Sequence, residues 1–353
     1  MADIINLLSA SMEALTAREK RVLDLIMTSY IASAEPVGSR TLSALVNSRW
    51  SSATIRNVMV DLEEQGFLYK PHVVAGRVPT GKAFRYYVNT LVPRAPGKRE
   101  LHALEGLTAH RYSHVEEIMG DASRMLANLC KYTGIVVEPK INSMLFKEVE
   151  FVKLSKNTIL VVFVTSSGMV HTRLVNTEED LPQELLGGMK GYMNEKCEGL
   201  PFYGLRKQIF ADMAKDREAF HELMGKVIDV LEGIMHEEGA REVYLEGTSR
   251  FIGVPELSDI TRLKELFQAF EKKGKLLRLL DRSIDQEGIS VIIGAETEVR
   301  EMRDMSIITS PYGVGRHNQG VLGVIGPLRM NYSKVIPIVN YTAQAVTDLL
   351  RIM

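Results

Sequence analysis

Residues 51–80 read SSATIRNVMVDLEEQGFLYKPHVVAGRVPT and combine a helical pattern with a strand, a turn and a second strand. Ser51 or Ser52 can cap the helix, because a serine hydroxyl accepts a hydrogen bond from an N–H group that lacks an intrahelical partner. Four apolar residues recur at helical spacing and predict a buried stripe, namely Ile55, Val58, Met59 and Leu62. Gly66 then predicts the end of the helix, since glycine readily adopts the positive φ of a helix end.

The outward face of this helix carries side chains that suit DNA bases. It consists of Ala53, Thr54, Arg56, Asn57 and Val60. Arginine can bond O6 and N7 of guanine together, and asparagine can do the same to N6 and N7 of adenine. Any amphipathic helix also needs a polar face, so the helix alone leaves a merely solvated surface as the alternative.

The residues after the helix favour the DNA interpretation. Phe67–Lys70 predicts a strand, residues 75–77 a tight turn, and Val78 a returning strand, which together form a basic β-wing. Such a tip commonly reaches backbone phosphates or the adjacent minor groove. The predicted DNA contacts are therefore Ser52, Ala53, Thr54, Arg56, Asn57, Lys70, His72, Gly76 and Arg77.

Two further helical patterns precede this stretch and one follows it. Thr16 and Glu19 have the spacing of a capping box, so the first helix begins there, and a loop with Pro36 leads to a short second helix from Ser39. Thr80 can cap a helix that follows the wing. Three helices and a wing in this order predict a winged helix-turn-helix whose third helix enters the major groove of duplex DNA.

The rest of the chain predicts an α+β multidomain protein. Strand patterns occur at 134–137, 148–154, 158–164 and 169–175, and again at 289–293, 306–309 and 321–325. The segment between the two groups is mainly helical, especially at 220–235 and 260–280, and a last helix runs from 334 to 353. A strand-rich module split by a helical insertion is therefore expected, although the strands at 148–175 could belong to either part.

Composition indicates an ordinary soluble protein with a basic N-terminal part. The chain has 353 residues and a net charge of -1, yet residues 1–100 carry +4 and the remainder -5. Cys130 and Cys197 have no metal-ligand spacing and cannot form a disulfide framework, which suits a reducing cytosol. Residues 1–8 lack the features of a signal peptide, so we expect a cytoplasmic protein.

The motifs typical of enzymes are incomplete. Residues 76–82 match the core of a phosphate-binding loop, but Ala83 stands where a serine or threonine would bind magnesium, and the same residues form the wing. No catalytic set, metal site or cofactor site is predicted.

Several segments of the chain resemble one known family. They are 51–57, 62–72 and 75–80 in the N-terminal part, 244–249 further along, and 320–332 with 335–337 near the end. All are similar to the heat-inducible transcription repressor HrcA, and they extend over nearly the whole chain.

The resemblance implies an architecture and a function. It divides the chain into a winged helix-turn-helix domain (1–93) and a GAF-like domain in two parts (94–180 and 286–353), interrupted by an inserted dimerisation domain (181–285). It implies a homodimeric repressor of chaperone operons of the groE and dnaK type, which binds an inverted-repeat operator called CIRCE and is kept active by the GroE chaperonin. A two-fold protein fits two inverted half-sites. The alternative is a metabolite-responsive winged-helix regulator with a small effector in the GAF-like pocket, and an enzyme is less favoured than either.

Overall fold

The computed structural model describes residues 15–45, 50–72, 76–92, 94–112, 114–139, 144–166, 168–177, 179–202, 204–205, 208–209, 228, 241–271, 273–284, 288–313 and 319–352. Within these ranges the chain is a mixture of α-helices and antiparallel sheets. Three expectations lie wholly or partly outside the described residues: those on residues 1–8, on Ala75 in the predicted turn 75–77, and on nearly all of the helical pattern at 220–235.

The N-terminal part has the predicted order of elements. Its helices are α1 (Ala17–Ser33), α2 (Ser39–Leu45), α3 (Ser52–Glu64) and α4 (Gly81–Thr90), and a ribbon of β1 (Leu68–Tyr69) and β2 (Val78–Pro79) lies between α3 and α4. The capping box is confirmed, because the Thr16 hydroxyl accepts from the Glu19 N–H at 3.2 Å and the Glu19 carboxylate accepts from the Thr16 N–H at 2.6 Å.

A five-stranded antiparallel sheet forms the centre of the remaining chain. Helices α5 (Lys98–Ala109) and α6 (Val115–Cys130) lead into β3 (Thr133–Val137), and the sheet has the order β7-β3-β10-β9-β8. The other strands are β7 (Val243–Glu246), β8 (Ser290–Ile293), β9 (Met305–Gly313) and β10 (Gln319–Pro327). The predicted strands at 134–137, 289–293, 306–309 and 321–325 are thus confirmed.

Helices cover both faces of this sheet. Val136 and Leu322 belong to the apolar cluster that contains residues of α6 and of α10 (Tyr332–Ile352). Ile135 and Val137 point to the opposite cluster, with residues of α8 (Ile260–Glu271) and α9 (Lys273–Ile284). Burial on both faces explains why these strands are continuous apolar runs rather than alternating ones.

The strands at 146–176 form a separate sheet. Strands β4 (Phe146–Ser155), β5 (Thr158–Thr165) and β6 (Val170–Asn176) lie in the order β4-β5-β6, and α7 (Gln183–Lys196) packs on β4. The alternation of buried and half-buried residues along β5 shows that one face of this sheet is more deeply buried than the other.

This grouping differs from the predicted division at 180/181 and 285/286. Strand β7, inside the predicted insertion, pairs with β3, and α9 packs on β9 and β10. The chain therefore leaves the five-stranded layer after β3 and returns to it at β7, so an insertion ends before Val243. Periodicity reveals which residues are buried, but not the sheet against which they pack.

Candidate nucleic-acid interface

The start of α3 is fixed by two local hydrogen bonds. Ser51 is the N-cap, and its hydroxyl accepts from the Thr54 N–H at 3.1 Å. The Ser51 and Thr54 hydroxyls lie 2.9 Å apart, so Thr54 also takes part in the cap. The Ser43 hydroxyl, in α2, donates to the carbonyl of Trp50, just before α3, at 2.9 Å. These contacts cap the first turn of α3 and connect the residue before its cap to α2.

The predicted reading face is presented to solvent. Ala53, Arg56 and Asn57 are exposed, whereas Ser52 and Thr54 are half-buried. The side chains of Arg56 and Asn57 have no hydrogen-bond or ion-pair partner within the described ranges. Their donors and acceptors are therefore available to a ligand, while the predicted inward residues Ile55, Val58, Met59 and Leu62 are buried.

Contacts at its C-terminal end join α3 to α1 and α4. Gly66 has a φ of +77°, which ends the helix as predicted. The Gln65 amide donates to the Glu19 carboxylate at 2.8 Å, and the Lys82 ammonium donates to the Gln65 carbonyl at 2.9 Å. Lys82 also lies 4.4 Å from the centre of the Phe67 ring. Lys82, the lysine of the sequence 76–82 that matches the core of a phosphate-binding loop, thus contacts the C-terminal end of α3.

The ribbon is attached to the loop between α1 and α2. Strands β1 and β2 pair antiparallel, and Arg77 and Val37 exchange two backbone hydrogen bonds of 2.9 Å. A Cβ on Gly76 would lie 2.4 Å from the Val37 carbonyl oxygen, so only glycine permits this close approach. The requirement for Gly76 therefore arises from packing against the loop.

The three predicted basic contacts of the ribbon have different surroundings. Lys70 and His72 follow β1 and are exposed. The side chain of Arg77 is only 15% exposed, and its Nη2 atom lies 2.7 Å from Oε2 of Glu63 in α3. The sequence predicted a phosphate or minor-groove contact for Arg77, whereas in the structure its guanidinium is directed toward the helix, because a carboxylate lies within reach.

One functional candidate was missed by the sequence analysis. Arg85, in α4, binds Glu296 and the carbonyl of Val291, which are 211 and 206 residues away along the chain. The local sequence shows only an arginine next to Phe84 in the predicted helix after the wing, and this does not identify a partner so distant in sequence.

An open groove lies on the body of the protein. It has a volume of about 560 Å³ and lies between α9 and the segment 297–301. Its charged lining residues are Arg278, Arg282, Glu298, Arg300 and Glu301. Arg282 and Glu298 form an ion pair of 2.7 Å across it. The ion pair places two opposite charges on the wall of the groove.

Three further observations concern metal binding, membrane spans and the two cysteines. In the parts of the chain that the structure describes, no three His, Cys, Asp or Glu side chains are grouped so that they could hold a metal ion. The helices described here are too short or too polar to span a bilayer. Both cysteines are buried and neither forms a disulfide among the described residues, and burial raises the pKa of the Cys130 thiol to about 12.

Comparison with known proteins gives matches over nearly the whole chain. The family model described as "HrcA protein C terminal domain" matches residues 116–336. The chain is 41% identical over 340 residues to the heat-inducible transcription repressor HrcA of Geobacter sulfurreducens, covering 96% of this chain and 99% of the relative. It is 37% identical over 342 residues to the protein of that name from Syntrophobacter fumaroxidans, covering 96% and 98%.

One solved structure shares the fold. A crystal structure described as that of a hypothetical protein aligns with a TM-score of 0.58 at 20% identity and covers 95% of this chain and 98% of its own. At this identity the likeness supports the fold alone.

Proposed function

Because the chain belongs to the HrcA family of heat-inducible transcription repressors, we propose that it acts as a homodimer on an inverted-repeat operator of the CIRCE type at heat-shock chaperone operons. The observation that carries this proposal is the reading face of α3. Arg56 and Asn57 are exposed there without partners among the described residues, and they project from a helix fixed at both ends.

In this proposal, residues 1–93 form a winged helix-turn-helix. Helix α3 enters the major groove, where Arg56 and Asn57 contact base edges and Ser52, Ala53 and Thr54 contact the duplex near the start of the helix. Lys70 and His72 lie beside the backbone phosphates. Gly76 contributes by allowing the ribbon to lie against the loop, and Arg77 positions the ribbon through Glu63.

The five-stranded layer with its covering helices is the GAF-like body in this proposal. The segment that contains β4–β6 and α7 is the insertion through which two chains associate. A dimer places two reading helices on one duplex, and simultaneous binding of both half-sites can raise the apparent affinity by roughly 10² to 10⁴. The GroE chaperonin maintains the active repressor, so that transcription rises when unfolded proteins occupy the chaperonin.

Regulation by a small metabolite is the less favoured function. It requires a pocket for an effector, whereas the groove of about 560 Å³ is open and has five charged lining residues, two of which, Arg282 and Glu298, form an ion pair across it. DNA binding is instead supported by the side chains of Arg56 and Asn57, which are exposed and have no partner among the described residues. We therefore place the ligand-binding surface on α3 and the ribbon.

The test is a footprint of the purified full-length protein on the chaperone promoters of its own organism, with and without chaperonin. We expect two protected half-sites related by two-fold symmetry, and higher occupancy at a given repressor concentration when chaperonin is present. Protection of a single half-site at all concentrations would contradict the dimer. No protection of any promoter, together with thermal stabilisation by a small metabolite, would favour the alternative.

A further inference from the structure

An interface joins the DNA-reading part, residues 15–92, to the five-stranded body. Arg85 of α4 donates through Nε to Oε1 of Glu296 at 2.9 Å and through Nη2 to the Val291 carbonyl at 2.6 Å. Its Nη2 also contacts Oε2 of Glu296, so the guanidinium and the carboxylate form a bidentate ion pair. Paired contacts of this geometry fix orientation as well as distance.

The Glu296 carboxylate is held in place by its own side of the interface. Its Oε2 accepts from the Ile293 N–H at 2.9 Å, and Ile293 ends β8, the edge strand of the five-stranded sheet. Val291 lies in the same strand. The acceptors for Arg85 therefore belong to β8 and to the 3-10 helix Gly294–Thr297 that directly follows it. The exposed fractions of the two side chains are 20% for Arg85 and 36% for Glu296.

An aromatic contact lies next to the ion pair. The ring centres of Phe84 and Tyr332 are 6.2 Å apart, and both side chains are fully buried. The Tyr332 hydroxyl lies 2.6 Å from the Ser306 hydroxyl and donates to the Leu328 carbonyl at 2.7 Å, which fixes the ring on the body. Phe84 also contacts Tyr30 of α1, with 6.4 Å between the two ring centres. Phe84 thus links the core of the reading part to the body.

From these contacts we infer that Arg85 is a positioning residue which, with Glu296 and the Phe84–Tyr332 contact, fixes the reading part on the body and thereby sets the half-site spacing that the dimer accepts. The inference rests on the proposed function, because spacing has a meaning only for a dimer on two half-sites. A flexible attachment would let each reading helix follow its half-site, whereas a fixed attachment requires the half-sites to match the separation and rotation of the two helices.

The experiment compares full-length wild type with Arg85→Ala on inverted-repeat duplexes whose central spacer is lengthened. An insertion of about half a helical turn places the second half-site on the opposite face of the duplex. We expect wild type to lose most of its avidity on that duplex, roughly 10²-fold or more. For Arg85→Ala we expect a much smaller ratio between the affinities for the natural and the lengthened spacer. Its affinity for a single half-site should be unchanged.

Two other variants separate positioning from general damage. Arg85→Lys retains the charge but not the bidentate geometry. Its ratio of affinities for the two spacers should therefore lie between those of wild type and Arg85→Ala. Glu296→Gln removes the carboxylate without altering the reading part. It should reduce the ratio of affinities for the two spacers, as Arg85→Ala does. Equal spacing ratios in wild type, Arg85→Ala and Glu296→Gln, at equal half-site affinity, would overturn the inference.

A distance measurement tests the attachment without DNA. Spin labels on Ala32→Cys in α1 and Lys264→Cys in α8 report the position of the reading part on the body, and the buried Cys130 and Cys197 do not compete for the label. With labelled chains diluted in unlabelled protein, we expect a narrow distance distribution in wild type and a broad one with Arg85→Ala. An equally narrow distribution in both would overturn the inference, whereas failure of wild type to bind any inverted repeat would contradict the proposed function instead.

Discussion

Arg77 and Glu63 form an ion pair, with 2.7 Å between Nη2 and Oε2, that joins the residue before β2 to the last turn of α3. The pair is less exposed to solvent than an ion pair on the surface, since the side chains of Arg77 and Glu63 are only 15% and 33% exposed. Together with the backbone bonds between Arg77 and Val37, it ties the ribbon to both helix α3 and the loop before α2. The orientation of the ribbon relative to the reading face therefore depends on Arg77.

This relationship predicts how Arg77→Ala differs from Lys70→Ala. The slope of log affinity against log salt reports the number of phosphates that a protein neutralises. We expect Arg77→Ala to weaken binding to the operator without changing this slope, because the guanidinium already pairs with Glu63. Lys70→Ala, at an exposed position, should flatten the slope by about one. A slope that flattens by about one in Arg77→Ala would show that Arg77 leaves Glu63 for a phosphate.

Gly76 and Gly81 give a matched pair of substitutions. A Cβ at position 76 would lie 2.4 Å from the Val37 carbonyl oxygen, a backbone atom that cannot rotate away, whereas a Cβ at position 81 has open space. We expect Gly76→Ala to destabilise the protein by about 1–3 kcal/mol, as overpacking does. Gly81→Ala, in the first turn of α4, should be neutral or stabilising by up to about 1 kcal/mol. Thermal unfolding of the two variants checks both values, and similar melting temperatures would refute the packing role of Gly76.

The caps and the ribbon were predictable from the sequence because their determinants are local. The Thr16 and Glu19 capping box spans four positions, and the Ser51 cap needs only Thr54. The grouping of strands β4–β6 was not predictable, because a strand pattern does not name its neighbour. For the same reason the Arg85–Glu296 pair was missed, since two residues 211 positions apart form it only after the whole chain has folded.

Glu19 gives the first pH prediction. Its pKa is lowered, chiefly by the hydrogen bond with the Thr16 side chain, and the Gln65 amide adds to the effect against a smaller opposing effect of burial. A carboxyl whose pKa is lower in the folded state adds stability above its unfolded pKa and loses it as the pH falls. We expect Glu19→Gln to destabilise the protein at about pH 7 and to have a smaller effect at about pH 3. Urea unfolding at both pH values measures the difference, and equal losses at both would contradict the assignment.

Glu138 should behave in the opposite way. Its side chain is buried, burial raises its pKa, and it accepts from the Tyr244 hydroxyl at 3.1 Å and the Glu242 N–H at 3.3 Å. A carboxyl whose pKa is raised on folding stabilises the protein at low pH and loses this contribution as the pH rises through its folded pKa. Glu138→Gln, which retains an acceptor but no charge, should therefore raise the free energy of unfolding near neutral pH relative to wild type. The same urea series tests this change, and a variant less stable than wild type at neutral pH would show that the charged form is the favoured one.

The reading face gives the prediction most directly tied to function. Arg56 is exposed near the start of α3, which is the end of a recognition helix that usually meets base edges. We expect Arg56→Ala to weaken operator binding by about 1–3 kcal/mol and to relax the preference at one base pair in each half-site. Arg262→Ala is the matched control, because this arginine is 58% exposed on the body and pairs with Asp304. Titrations against operators with single base changes measure both effects. If Arg56→Ala kept the base preference of wild type and lost affinity equally on every duplex, Arg56 would be a phosphate contact. Asn57 and its neighbours on α3 would then be the residues that contact the bases.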